Sequence, residues 1–259
     1  MSKKIIVVLA VMLATLFAAP SLRARPESEM DKLFAAPLGE DDLAYMFLGY
    51  AGFIVRGSAA TVIIDPAGFL VEDDIPALAK HTIDAILYTH GHGDHFDAGA
   101  ARRLEAATGA TIVAEPSVAR VLKSSGSVPG EKIIAAVPGR PIKAGGAVIQ
   151  CVIGKHVGPI VLFHVQLGRV SIFHGGDSAY VPLAPFAARI AFLPTGNPSP
   201  TASPADALKM ALDVKPRVVV LMHGEESEHA EFERLAASRL PGVSVEIPKP
   251  YVTKIVRLH

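Results

Sequence analysis

The segment Thr89-His90-Gly91-His92-Gly93-Asp94-His95-Phe96-Asp97 constrains this chain more than any other. Three histidines and an aspartate fall within six positions, spaced by glycines. The apolar run 83–88 leads into it and reads as a strand. A helical pattern follows over 97–108, with Asp97 as candidate cap and Gly109 as stop. In extended backbone, residues i and i+2 point to the same side. His90 and His92 can therefore face one metal ion together, while Asp94 and His95, where the chain turns, can face a second. Imidazole nitrogen and carboxylate oxygen suit zinc, and also manganese or iron. The glycines are expected to allow a tight backbone path that side chains would obstruct.

One turn leaves a catalytic metal short of ligands, and three downstream residues can complete the set. His156 follows the strand-like run 148–153 beside Gly154 and Gly158. Asp177 stands in Phe173-His174-Gly175-Gly176-Asp177-Ser178, directly after a strand-like run, and His223 follows 218–222 and precedes Gly224. All three sit at strand ends next to glycine, where loops converge at one edge of a sheet. Asp65 ends the β-branched run 61–64; it is expected either to orient a ligand histidine or to cap a turn. His174 is expected to support the site from behind the ligands. The other histidines take simpler roles: His81, His229 and His259 solvated, and His164 hydrogen-bonded within a strand.

The rest of the chain fits one α/β domain. Strand-like runs occupy 45–48, 52–55, 61–64, 110–114, 133–137, 147–153, 160–167, 170–173, 218–222, 243–247 and 251–256. Helical runs occupy 97–108, 116–122, 204–212 and 229–239. Helices are expected to cover sheets on their outer faces. At 259 residues and 50% apolar, with 19% charged, the chain can build a large aliphatic core, although it has no Trp. Lys+Arg and Asp+Glu balance at 25 each, so no cationic field points to nucleic acid. The single cysteine, Cys151, allows neither an intrachain disulfide nor a Cys-rich zinc site. It lies in an apolar strand, and no Gly-x-Ser-x-Gly elbow is present, so a nucleophilic side-chain mechanism has little support.

The N-terminus is a separate object. A basic start, Lys3-Lys4, precedes an uncharged apolar stretch over 5–19 and then small residues, the pattern of a secretory signal. The stretch is short for a permanent membrane anchor. Residues 1–24 are therefore expected to be a signal peptide cleaved after Ala24, and 25–259 the mature domain, with an uncleaved N-terminal anchor as the alternative. The mature protein is expected to be exported, to a periplasm-like compartment, with no stable membrane anchor. Cleavage removes Lys3, Lys4 and Arg23 and no acid, which tips the balanced chain to a small net negative charge.

With its His-x-His-x-Asp-His turn, later His, Gly-Asp turn and final strand-end His, the chain resembles the metallo-β-lactamase superfamily over residues 45–237. Leu48-Gly49-Tyr50-Ala51-Gly52-Phe53, Ile63-Ile64-Asp65-Pro66, Phe192-Leu193-Pro194-Thr195-Gly196-Asn197 and Ser203-Pro204-Ala205-Asp206-Ala207 are similar to its lactonase-like branch, which contains ascorbate-6-phosphate lactonase. Tyr50 stands where that branch usually has His, and the polar 197–201 loop is this chain's own. The resemblance implies an αββα sandwich with metals at one edge of two sheets. It implies that His90, His92 and His156 hold a first ion, that Asp94, His95 and His223 hold a second, and that Asp177 bridges both. Two divalent cations against two carboxylates and a hydroxide leave a positive centre, suited to a small anionic or carbonyl-bearing substrate. Hydrolysis of a lactone, ester or phosphodiester by metal-activated hydroxide is the expected reaction, with Asp94 taking or returning a proton. Flavo-diiron relatives carry Glu where His92 stands, and true zinc β-lactamases lack the bridging Asp, so neither redox chemistry nor antibiotic hydrolysis is expected. The alternative is a non-catalytic metal-binding or sensing protein on the same fold.

Overall fold

The computed structural model describes residues 28–71 and 73–258. The signal peptide expected over 1–24, its cleavage site and His259 lie outside them. After helix α1 (Ser28–Ala35), the first half of the chain runs β1 (Asp42–Gly49), β2 (Gly52–Gly57), β3 (Thr61–Ile64), α2 (Asp74–Leu78), β4 (Ala85–Tyr88), α3 (Ala98–Thr108), β5 (Thr111–Ala114), α4 (Pro116–Ser125) and β6 (Ile133–Ala135). The second half runs β7 (Ile142–Ala144), β8 (Ala147–Ile153), β9 (Val161–Leu167), β10 (Val170–His174), β11 (Ile190–Pro194), α5 (Pro204–Val214), β12 (Val218–Met222), α6 (Glu226–Arg239), β13 (Ser244–Glu246) and β14 (Thr253–Arg257). Two seven-stranded sheets result, ordered β14-β1-β2-β3-β4-β5-β6 and β13-β12-β11-β10-β9-β8-β7.

Each sheet is antiparallel at one end and parallel at the other. In the first, β14, β1, β2 and β3 pair antiparallel, and β3 to β6 parallel. In the second, β7 to β10 pair antiparallel, and β10 to β13 parallel. A parallel sheet covered on both faces needs apolar residues throughout, and β3, β4, β11 and β12 are buried at every position. In β8, by contrast, burial alternates through most of the strand, one face inward and one toward solvent.

Three apolar layers hold the sheets and helices together. Tyr45, Phe53, Phe163 and Phe192 meet between the sheets. Leu33, Leu78, Leu104 and Leu122 carry α1 to α4 onto the outer face of the first sheet. Met210, Ala211 and Phe232 carry α5 and α6 onto the second. Fully burying each large side chain contributes roughly 1.5–3 kcal/mol, so aliphatic and Phe side chains suffice without Trp. The arrangement is the αββα sandwich that the family resemblance implied. Among the described residues, no helix is long and apolar enough to cross a membrane.

Candidate metal centre

Parallel strands all end on the same side, and here the ends of both sheets bring polar side chains to one edge. Asp65 follows β3, the segment His90–His95 follows β4, His156 follows β8, Asp177 follows β10 and His223 follows β12. The structure gathers these residues into two overlapping groups. His90, His92, His156 and Asp177 form one; Asp94, His95, Asp177 and His223 form the other, and within each the ligand-capable atoms lie within 4.8 Å of one another. His92 Nδ1 and His156 Nε2 are 3.2 Å apart. His95 Nε2 and His223 Nε2 are also 3.2 Å apart. His90, His95, Asp177 and His223 are buried, Asp94 and His156 are half-buried, and His92 is exposed.

The donor atoms crowd together as metal ligands do. Asp177 Oδ1 lies 2.9 Å from His95 Nε2 and 2.7 Å from His223 Nε2, yet it has no well-formed hydrogen bond. His90 Nε2 is buried without a partner as well. An unsatisfied buried polar atom costs roughly 1–3 kcal/mol, and His90 Nε2 beside the crowded Asp177 Oδ1 suits a cation between them. The residues present fit divalent metal ions.

Atoms behind the cluster aim the rings. Asp65 Oδ2 sits 2.8 Å from His95 Nδ1, which turns His95 Nε2 toward Asp177. The same carboxylate accepts the Thr89 main-chain N–H at 2.8 Å and the Thr89 hydroxyl at 2.5 Å. Asp65 thus contacts the His95 ring and also holds the main chain at Thr89. His174 is fully buried, donates from Nε2 to the Ala51 carbonyl at 2.9 Å, and belongs to neither group. Thr201 Oγ1 contacts His156 Nδ1 at 2.8 Å and donates to the Asp177 carbonyl at 2.6 Å.

Burial and neighbouring charge set the ionisation of these groups. Burial pushes His90 down to about 3. It pushes His174 down to about 4, which keeps that ring neutral. Burial also opposes protonation of His95, but the Asp65 and Asp177 carboxylates outweigh it and push the ring up to about 10. Burial would raise the Asp177 carboxyl, yet His223 and His95 hold it well below the usual carboxylate range. A proton shared there and a bound cation answer the same excess of negative potential. Cys151 is buried, and burial pushes its thiol up to about 11, so it is no nucleophile at neutral pH.

A cleft of about 490 Å³ opens at the cluster, lined by His92, Gly93, Asp94 and Asp177 together with Tyr50, Phe69, Pro198 and Pro200. Gly91 and Gly93 have a different role from the one expected. Neither has a positive φ, and a Cβ on Gly93 would meet nothing within 4 Å. Gly93 leaves room above the site; it does not relieve a tight turn. His229, expected to be solvated, is half-buried, and its Nε2 reaches the His223 carbonyl at 3.2 Å. His81 is half-buried too and stacks on Phe34 at 3.8 Å. His164 is hydrogen-bonded as expected, to the Ala187 carbonyl at 3.0 Å.

Residues 45–223 match the beta-lactamase superfamily domain. The chain belongs to the metallo-β-lactamase superfamily. A UPF0173 metal-dependent hydrolase of Thermococcus onnurineus is 33% identical over 219 residues, which is 74% of this superfamily member and 92% of that relative. A second, from Thermococcus kodakarensis, is 30% identical over 227 residues, covering 78% and 98%. Among solved structures, Igni18, a metallo hydrolase from Ignicoccus hospitalis, superposes with a TM-score of 0.70 at 21% identity, covering 84% of this chain and all of that one. The last comparison shows the shared fold, and the first two place the chain among metal-dependent hydrolases.

Phe69, Thr89 and Thr201 were not assigned roles from sequence. Thr89 lies inside the densest motif, so its position next to His90 was a usable signal. Thr201 is 45 residues from His156, and no spacing rule connects them. Phe69 joins the site from the loop after β3.

Proposed function

We propose that this hydrolase cleaves an ester-like bond, in a lactone, ester or phosphodiester, of a small substrate at a dinuclear metal centre. The single observation that carries this reading is the pair of ligand groups sharing Asp177. His90, His92, His156 and Asp177 would hold one divalent cation, and Asp94, His95, His223 and Asp177 the other. The nitrogen and oxygen donors favour zinc, with manganese or iron as alternatives. When bound, such ions lower the pKa of water toward neutrality and polarise the bond under attack. The chain's own residues supply position and proton transfer. Asp177 keeps the two groups in register, with Oδ1 beside His95 and His223 and Oδ2 4.0 Å from His156. Asp65 and Thr201 hold the rings of His95 and His156 from behind. Asp94, half-buried in the cleft lining with Oδ2 3.6 Å from His95, can take a proton and return it to the leaving group.

Elemental analysis of protein purified without chelator, followed by a substrate panel, tests this. About two metal ions per chain and turnover of a lactone, ester or phosphodiester support the reading. Less than about half an equivalent of any transition metal after reloading overturns it, as does turnover of a β-lactam alone. The basic start and apolar stretch at the N-terminus support export of the mature chain. N-terminal sequencing after cell fractionation checks that: a start near Arg25 in the periplasmic fraction is expected, and an intact Met1 in the soluble cytoplasm overturns it.

A further inference from the structure

Tyr50 occupies an expensive position. It sits in the turn between β1 and β2 with φ +52°, in the left-handed region where Gly or Asn is the economical choice. The residue is 41% exposed, so burial does not compensate for the strain. Non-glycine strain of this kind persists where the surroundings enforce it, and it collects at ligand clamps. Two contacts enforce it here. The Tyr50 carbonyl accepts the His223 main-chain N–H at 3.2 Å, and the ring stacks on Phe69 at 5.5 Å and 14°. Phe69 is fixed in turn through its carbonyl, which accepts the Tyr251 hydroxyl at 2.9 Å.

The result is a stacked aromatic pair lining the cleft that also holds His92, Asp94 and Asp177. Pro198 and Pro200 line the same cleft, and both are exposed. Their loop is anchored as well: the Asn197 N–H donates to Glu228 Oε2 at 3.0 Å, and the Ser199 hydroxyl donates to the Asp177 carbonyl at 2.8 Å. No lysine or arginine lines the cleft among the described residues. A phosphate or carboxylate tail would find no cation there except at the reacting centre itself. A planar apolar group would find the outer surface of an aromatic stack and two prolines to pack against.

We propose that Tyr50, Phe69, Pro198 and Pro200 form the recognition subsite for the non-reacting part of the substrate, and that this part is a flat, uncharged aromatic group fused to or carried by the ester-like linkage. The proposal rests on the hydrolytic reading above for its place beside the metal ligands. It separates this chain from a relative that reads a phosphorylated sugar-like lactone, because charge recognition is absent from the walls. Tyr50 acts here through its ring and not through its hydroxyl.

The test uses the full-length mature, metal-loaded protein and two uncleaved amides, 3,4-dihydroquinolin-2-one and δ-valerolactam, which differ by the fused ring. Calorimetry measures the affinity of each, and hydrolysis of the matching aryl lactone, dihydrocoumarin, is followed alongside. The aromatic amide is expected to bind about five- to tenfold tighter than the aliphatic one. Tyr50→Asn, which suits the left-handed turn but lacks the ring, removes that advantage. Tyr50→Phe retains it, and Phe69→Leu weakens it. In turnover, Tyr50→Asn raises KM for dihydrocoumarin more than it lowers kcat. Equal affinity of the two amides for the unaltered protein, or binding of neither, overturns the subsite, as does a ring advantage that survives both Tyr50→Asn and Phe69→Leu. A phosphorylated aliphatic lactone with a lower KM than dihydrocoumarin also overturns it. If the ring advantage holds while no ester-like bond is cleaved, the subsite stands and the hydrolytic reading fails. If dihydrocoumarin is cleaved with no ring advantage, the reverse is true.

Discussion

A threonine hydroxyl has one proton to give. Thr201 gives it to the Asp177 carbonyl, so toward His156 Nδ1 it can only accept. His156 must then carry its proton on Nδ1, which leaves the Nε2 lone pair facing His92 and Asp177. Thr201→Val keeps the shape and deletes the acceptor. Chelator competition is expected to show metal affinity about 10–100-fold weaker for Thr201→Val and nearly unchanged for Thr201→Ser. Equal affinity in both variants would mean that the ring is held by packing alone. Asp177 and His174 make a second contrast. Asp177 belongs to both ligand groups, whereas His174 belongs to neither and touches the Ala51 carbonyl. Asp177→Ala should abolish turnover and metal retention together. His174→Ala should keep its metal and lose activity about 10–100-fold. Equal loss of metal and activity from the two variants would place His174 among the ligands.

Elements owe their boundaries to single polar groups, and these are where sequence reading succeeds or stops. Asp97 was readable as a cap, and its Oδ1 accepts the Ala100 N–H at 2.6 Å while Gly109 closes the helix at φ +66°. Asp97→Ala is expected to destabilise the fold by about 1 kcal/mol in chemical denaturation. A change well under that would mean that water replaces the cap without cost. Asp84 shows the opposite case. The apolar run starts at Ile83, but the Asp84 carboxylate accepts the Thr61 N–H at 2.8 Å and the Gly146 N–H at 3.0 Å, so β4 begins at Ala85. Neither partner is near in sequence. β11 went unread as a strand because Ile190–Pro194 emerges from an alanine- and proline-rich stretch with no turn signal before it. The gathering of the site residues was legible for a physical reason. Their strands are buried on both faces or end in glycine, and the polar residue that follows each one marks where the sheet stops. What the sequence could not indicate was the role of residues that reach the site through a loop, such as Thr201 and Phe69, or through a helix, such as His229.

At the scale of the molecule, the site lies where the two sheets meet. His90, His92, Asp94 and His95 come from the loop after β4 of the first sheet, while His156, Asp177 and His223 come from β8, β10 and β12 of the second. Each ligand group draws on both sheets. A cation held by either group therefore ties the halves of the sandwich together at an edge that the apolar layer between them does not cover. Without a cation, buried atoms such as His90 Nε2 and Asp177 Oδ1 oppose the packing that brings them close. Binding to the folded state alone stabilises it by RT ln(1 + [L]/Kd), about 2.7 kcal/mol at a free metal concentration 100 times Kd. A domain of this size shifts its Tm by roughly 2–4 °C for each kcal/mol. Chelator-treated protein should consequently unfold on the order of 5–10 °C below the reloaded protein in a thermal melt. The same comparison in Asp177→Ala should show a much smaller gap, because both groups lose the carboxylate that joins them. If the unaltered protein melted at one temperature with and without metal, the ligands would not bridge the sheets, and the cluster would have to bind its ions too weakly for the hydrolytic reading to stand.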